Sequence, residues 1–506
     1  NSFAVSGKNR SSGKSILASD PHLDLLLPST WYPVFLQTPE MNVRGFSIAG
    51  CPGIIIGFND DIAWGMTNFP ADVQDYYSIV INRNRGKYFY SYKDSITCLS
   101  SRLCTINVRH GRPVEEELFN SRFGPVIIMQ KSRATAVKWT GHMESREMCT
   151  IYKLNKAKNY NDFISALKFF SAPPLNFTYA DTRGNIAQWS VGTLPKRVNG
   201  DGRGIAPGDG YCNLWEEFIP FDSLPHVYNP QCGYVFSANQ QTDTGNSIHS
   251  LIWDAGYRSR RLNEILDEKP NLSLTQAKDL QNDLLCVAAR EILPILFEAA
   301  YNDTALYART LIPILKDWDH KMCMTKKAPL VWSCFFREYR RLVWDDDLPE
   351  AANDDIGQIY PNDAVLEYIT KEQPDAYWFA YSDSGETRDK IMRLALKETF
   401  YGIREQFGAD TALWSWGNVH LTLINHPTRI PVLGRGPFPM PGNPHTANCS
   451  HSLGTGTFGV SFRLIVDMED RPKAWFAFPG GISGNPASYF YDNLLSSWRN
   501  GKYYPL

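Results

Sequence analysis

The 506-residue chain has no apolar run close to the roughly 18 residues that a membrane-crossing helix needs, so nothing in it reads as a span. An excess of one charge is also missing. Lys and Arg number 51 against 53 Asp and Glu, a net charge of −2, which leaves no electrostatic footprint for nucleic acid. The ten cysteines include no Cys-x-x-Cys pair, which argues against a zinc or thioredoxin-like centre. Cys98 and Cys104 are spaced to close a small loop, although most cysteines in a chain of this size act as small buried hydrophobes. Internal repeats and low-complexity linkers are lacking, and the five Asn-x-Ser/Thr sequons (Asn9, Asn176, Asn271, Asn302, Asn448) are what chance supplies over this length. There is no initiating Met and no signal-peptide pattern. The opening Asn1-Ser2-Phe3-Ala4-Val5 reads as a strand with Phe3 and Val5 on one face. Such a start fits processing from a longer precursor, and equally a shortened chain.

What is present is a large apolar and aromatic fraction, 43% and 13%, suited to a big core and aromatic-lined pockets. Length suggests about two to four domains, with a single interwoven unit as the alternative. Residues 1–260 are dominated by short apolar runs, such as Gly53–Gly57 and Val126–Ile128, bounded by Gly, Pro, Asn and Asp. Asp181–Asn185 reads as a hairpin turn between Phe177–Tyr179 and Ile186–Trp189. Over 261–410 the period becomes helical. Ser273 and Gln276 form a capping-box signature, and Ala277, Leu280, Leu284 and Ala288 repeat on one helix face. A second tract covers 388–407 with Ile391, Leu394, Leu396 and Phe400. Residues 411–506 return to β character, with Phe458–Val466 and Ala474–Phe478 read as two strands joined by a charged turn. Strands at both ends with helices between them predict an α+β fold in which the two ends share one sheet system.

The most specific signals are short motifs in a fixed order. They run from Asn1-Ser2-Phe3-Ala4-Val5-Ser6-Gly7 and Ala18-Ser19-Asp20-Pro21-His22-Leu23 through Ile62–Asn68, Tyr179-Ala180-Asp181 and Ser237-Ala238-Asn239-Gln240. Trp253–Arg258, Trp416–His420 and Phe478–Pro486 complete the set. Each is weak alone; their order over the whole chain resembles the β subunit of the penicillin acylase family, N-terminal nucleophile hydrolases that include acylases of penicillins, cephalosporins and N-acyl homoserine lactones. The resemblance implies an αββα sandwich with a largely helical insertion and an α subunit cut from the same precursor. It also implies cleavage of a small-molecule acyl amide and export to the bacterial periplasm.

It further implies residue roles. The family's nucleophile, usually Ser, stands immediately before the residue matching Asn1, so a Ser, Thr or Cys is expected there; Asn itself has no nucleophilic side chain, and Ser2 carries no free amine. His22 matches a position beside the nucleophile's amine. Asn239 matches the side-chain donor of the oxyanion hole, the backbone N–H of Asn68 its second donor, and Arg258 the residue that holds that Asn. Asp72, Gln74 (carbonyl), Asp75 and Pro195 (carbonyl) match ligands of one structural calcium, while the position of a further family Asp is Ser247 and another ligand belongs to the α subunit. His445 lies where relatives have a polar stretch, and as a loop residue it is also read as outside the site. Trp31, Tyr32 and Phe69 are read equally as acyl-pocket or core residues. A non-catalytic binding protein on the same scaffold is the alternative of a different class.

Overall fold

Both ends of the chain build the same sheet. Strand Ser2–Val5 pairs antiparallel with Ile16–Ser19 on one side and Tyr234–Ser237 on the other, and Ile16–Ser19 pairs in turn with Arg463–Asp467 from the tail. Lys473–Ala477 and Tyr504–Pro505 extend this sheet to six strands. In the computed structural model, which describes residues 1–242, 250, 252–348, 360–380, 386–452 and 457–506, it faces a seven-stranded antiparallel sheet centred on Ile62–Asn68.

Strand alternation sorts the side chains between layers. Ala4, Leu17, Leu464 and Val466 enter the inter-sheet core beside Phe46, Trp64 and Tyr179, whereas Phe3, Val5, Ile16 and Ile465 face the opposite way. There they meet Leu262, Leu266, Ala277 and Leu280 of helices Tyr257–Glu268 and Leu274–Gln281. Beyond the second sheet, Ile151, Leu154, Phe163 and Leu167 of helices Glu147–Lys156 and Tyr160–Leu167 close the fourth layer. The order is helix, sheet, sheet, helix: an αββα sandwich of the α+β class. Each large side chain buried in these layers contributes about 1.5–3 kcal/mol. Further helices up to Arg388–Phe407 pack around a separate apolar core that includes Leu293, Trp332, Phe335 and Leu396. Among the described residues, no helix is long and apolar enough to cross a membrane.

Local chemistry departs from simple periodicity in several places. The spacing of Ala277, Leu280, Leu284 and Ala288 suggests one helix, but Leu274–Gln281 stops and Val287–Ala299 starts anew. Asn282 Nδ2 returns to the Lys278 carbonyl (2.7 Å) and Asp283 Oδ1 takes the Leu285 N–H (3.0 Å), local bonds that compete with helix propagation. The capping box at its start is formed by both of its bonds. The run Phe458–Val466 also divides: Thr457–Val460 pairs with His22–Asp24, while Arg463–Asp467 joins the six-stranded sheet. Ser461 makes the switch, its N–H and hydroxyl both bonded to the Pro21 carbonyl (2.9 and 2.7 Å). Cys98 and Cys104 lie in separate strands with free thiols rather than closing a loop.

Gly65 sits where the two sheets approach, and a Cβ there would stand 2.4 Å from Ser2 Oγ and 3.0 Å from Ser19 Cβ. Gly65→Val is expected to destabilise the chain by about 1–3 kcal/mol through overpacking. Gly402→Ala, in helix Arg388–Phe407 where a Cβ meets nothing within 4 Å, is expected to stabilise it by about 0.5–1 kcal/mol. Denaturant unfolding checks both, and equal midpoints for the two variants would contradict this packing.

Candidate active site

The β-ladder continues through the first residue. Asn1 N–H donates to the Asp20 carbonyl and Asp20 N–H to the Asn1 carbonyl, both at 2.8 Å. By alternation the Asn1 side chain faces the helical layer, where every polar atom is engaged. Its Nδ2 donates to Asp20 Oδ2 (2.9 Å) and to the Ala447 carbonyl (3.0 Å), and its Oδ1 accepts from Arg258 Nη1 (2.9 Å).

Arg258 is buried, on the first turn of helix Tyr257–Glu268, and its second terminal nitrogen makes two bonds. Nη2 donates to Asn239 Oδ1 (3.0 Å) and to Asp254 Oδ2 (2.8 Å). A guanidinium can only donate, so its bond identifies Oδ1 of Asn239 and turns Nδ2 the other way. That Nδ2 donates to the Asn68 carbonyl (2.9 Å) and keeps one N–H in reserve. Asn239 holds a left-handed backbone, φ 66°, a conformation Asn tolerates better than most residues.

The end of strand Ile62–Asn68 is fixed by a buried polar network. Asn176 Nδ2 donates to the Asn68 carbonyl (3.1 Å) and to Ser237 Oγ (3.2 Å), its Oδ1 accepts from Ser190 Oγ (2.6 Å), and the hydroxyls of Thr67 and Ser237 lie 2.6 Å apart. Burial also excludes Asn176, and Asn448 beside it in the sequon set, from carrying a glycan.

Asp20 is the second hub. Besides Asn1 it accepts from His22 Nε2 (2.9 Å) and Gln281 Nε2 (3.1 Å). Because the carboxylate only accepts, His22 carries its proton on Nε2. Burial pushes His22 well below its ordinary 6.5 against the pull of Asp20, so the ring is neutral near pH 7.

Several of these groups line a cavity of about 910 Å³. Asn1, His22, Asn68, Asn239, Asp254, Arg258 and Cys449 supply the polar end, and Trp31, Ile48, Ile56, Met66, Ile151, Phe170 and Leu175 supply an apolar one. The four residues expected at the site, His22, Asn68, Asn239 and Arg258, are therefore brought together. Of the three aromatics considered for the pocket only Trp31 lines it; Tyr32 is half exposed, and Phe69 packs against Trp253 elsewhere. Asp20, Asp254, Gln281, Asn176 and the Ala447 carbonyl were not singled out from sequence. Asp20 and Asp254 lie inside two of the ordered motifs, which was the available signal. Asp72 and Asp75 lie apart from this wall and share Arg197; Gln74 contacts the Tyr76 hydroxyl, and Pro195 begins the strand that carries Arg197. Ser247 lies outside the described residues.

A family model described as penicillin amidase matches residues 1–506. The acyl-homoserine lactone acylase QuiP of Pseudomonas aeruginosa is 25% identical over 99% of this chain and 66% of its own length, so the chain spans just under two-thirds of that relative. Penicillin G acylase of Escherichia coli is 28% identical over 62% of this chain and 38% of its own length. In fold, the chain resembles a thermostable penicillin G acylase from Alcaligenes faecalis, with a TM-score of 0.82 over 100% of this chain and 96% of that one at 22% identity.

The loop that brings Ala447 and Cys449 to the cavity is anchored by His445, whose Nε2 lies 3.0 Å from Asp363 Oδ2, with Arg340 on the other carboxylate oxygen (3.2 Å). Burial alone would lower His445, but Asp363, together with Cys286, raises it to about 9, and Asp363 is lowered in turn. A raised His contributes its full stability below its ordinary value of 6.5 and loses it as pH climbs through 9. Denaturation midpoints measured from neutral to alkaline pH are expected to fall over that window, and His445→Gln is expected to flatten the fall. An identical slope in the variant would contradict the pair.

Proposed function

Because the chain belongs to the penicillin amidase family, we propose that it hydrolyses a linear acyl amide through an acyl-enzyme on a Ser, Thr or Cys standing immediately before Asn1. The observation that carries this reading is the Arg258 fork, which joins Asn1 to Asn239 at the wall of the cavity. The strand register supports it. Ser2 stands opposite Ser19 and Ser237, so a residue one step before Asn1 would stand opposite Pro21 and Asn239. By alternation its side chain would share the face of Ser2 and Ala4, toward the strand that ends at Thr67 and Asn68.

A free α-amine titrates near 7.7–8.0 in water, so one at this position serves as base for its own residue's hydroxyl or thiol. Attack on the amide carbonyl places negative charge on oxygen, which the remaining N–H of Asn239 and the backbone N–H of Asn68 stabilise. The amine product leaves with a proton, and water then releases the carboxylic acid. Neutral His22, held by Asp20, fixes the polar wall beside Asn1. The proposal includes an α subunit from the same precursor, which completes the pocket, and export to the periplasm.

For the acyl group a second reading has its own support. The cavity lies near the upper end of the roughly 300–1,000 Å³ usual for ligand pockets, and most of its lining beyond the polar cluster is apolar, with Glu147, Thr67 and His451 among it. An N-acyl homoserine lactone or other fatty-acyl amide fits such a lining, and acyl-homoserine lactone acylases are among the relatives matched along nearly the whole chain, beside a penicillin acylase 2 proenzyme matched over all of it. A panel of phenylacetyl, glutaryl and acyl-homoserine amides distinguishes the classes, and tight binding without turnover of any would favour a binding protein. Asn239→Ala is expected to lower kcat by about 10²–10³, equivalent to about 2.7–4 kcal/mol, with the fold intact. Replacement of the residue before Asn1 by Ala is expected to abolish turnover. Near-normal kcat in either variant would overturn the mechanism.

A further inference from the structure

Just beyond Asn68, two carboxylates expected to hold calcium already hold a cation that belongs to the chain. Arg197 Nε donates to Asp75 Oδ2 (2.9 Å), and its Nη2 donates to Asp75 Oδ1 (3.1 Å) and to the Asp72 carbonyl (3.1 Å). The same Nη2 lies 3.2 Å from Asp72 Oδ2. Trp215 Nε1 adds a bond to Asp75 Oδ2 (2.6 Å), and the guanidinium carbon stands 5.9 Å from the Trp215 ring. The cluster is largely buried, with side-chain exposures of 1% for Asp75, 8% for Arg197 and 19% for Asp72. Gly202, at φ +84°, seals it: a Cβ there would stand 2.6 Å from Asp72 Oδ2 and 2.7 Å from Arg197 Nε.

Calcium requires six to eight oxygen ligands at about 2.3–2.6 Å. Both Asp75 oxygens instead face N–H groups that have no lone pair to offer a metal. Charge leads to the same result. Arg197 pairs with both carboxylates, and Lys138, opposite Asp75 in the strand register and bonded to the Trp215 carbonyl (3.3 Å), adds its field at Asp75, so a divalent ion would bring further positive charge to residues already offset. The residues present therefore do not fit calcium.

We propose that Arg197 takes the place of the structural calcium in this chain, as a built-in cation that ties Asp72 and Asp75 to the paired strands Pro195–Val198 and Leu214–Phe218. The tie holds the segment that follows Asn68, and it stands independently of the substrate and of the nucleophile's identity. Thermal unfolding of the whole purified protein, with parallel metal analysis by atomic emission, tests it. The midpoint should be the same after exhaustive EGTA treatment and after addition of millimolar CaCl2, and less than stoichiometric calcium should be retained. Arg197→Ser should lower the midpoint by several degrees, and added calcium should partly restore it because the two carboxylates are then free. One retained calcium per chain with a midpoint that drops on chelation would overturn the proposal, as would an Arg197→Ser midpoint equal to wild type. If the variant fails to fold, the wild-type chelation result decides.

Discussion

The candidate site depends on one buried guanidinium. Arg258 spans Asn1 on the first strand, Asn239 at the end of a neighbouring strand and Asp254 before its own helix, with bonds of 2.8–3.0 Å. A planar fork satisfies several acceptors from a single rigid group, which a lysine ammonium cannot reproduce. Burying that charge is costly unless it is paired, and Asp254 provides the pair. The two amide oxygens then gain charge-assisted bonds, and their NH2 groups are forced outward by elimination. Asn239 is thereby fixed as a donor.

The sandwich places this fork. Alternation along Ser2–Val5 sends odd-numbered side chains to the helices and even-numbered ones into the space between the sheets. The polar end of the cavity thus forms where the ladder of the first strand meets the left-handed turn at Asn239. On the second sheet, Asn176 holds the Asn68 carbonyl from one side while Asn239 holds it from the other. Beyond Asn68, the Arg197 cluster fixes the chain again. A reacting group at this wall would meet dipoles that are already oriented, which is how preorganised sites lower a barrier without reorganising.

Much of the sandwich was legible in the sequence because period-two and capping signals are local. Phe3 and Val5 share a face, and Ser273 with Gln276 caps a helix, as their spacing suggests. Positions in ordered motifs, Asn239 and Arg258 among them, could be located through family resemblance. What stayed hidden depends on contacts distant in sequence. Asn176 looks like a chance sequon until its amide is seen bridging two strands, and Gln281 is an ordinary helix residue until it reaches Asp20 across 261 positions. Arg197 is a lone surface-type charge until Asp72 and Asp75 surround it. The helix break after Gln281 escapes a periodicity reading because apolar spacing continues across a segment whose Asn and Asp side chains bind their own backbone.

A double-mutant cycle on Arg258 and Asn239 tests the central claim most directly. If the guanidinium acts by orienting the Asn239 amide, Arg258→Gln and Asn239→Ala will each lower kcat, and the double variant will fall little below the worse single one. The coupling would then exceed about 1 kcal/mol. Losses that add to within about 0.3–0.5 kcal/mol would show that the two residues act independently, and that the guanidinium does not set the direction of the amide.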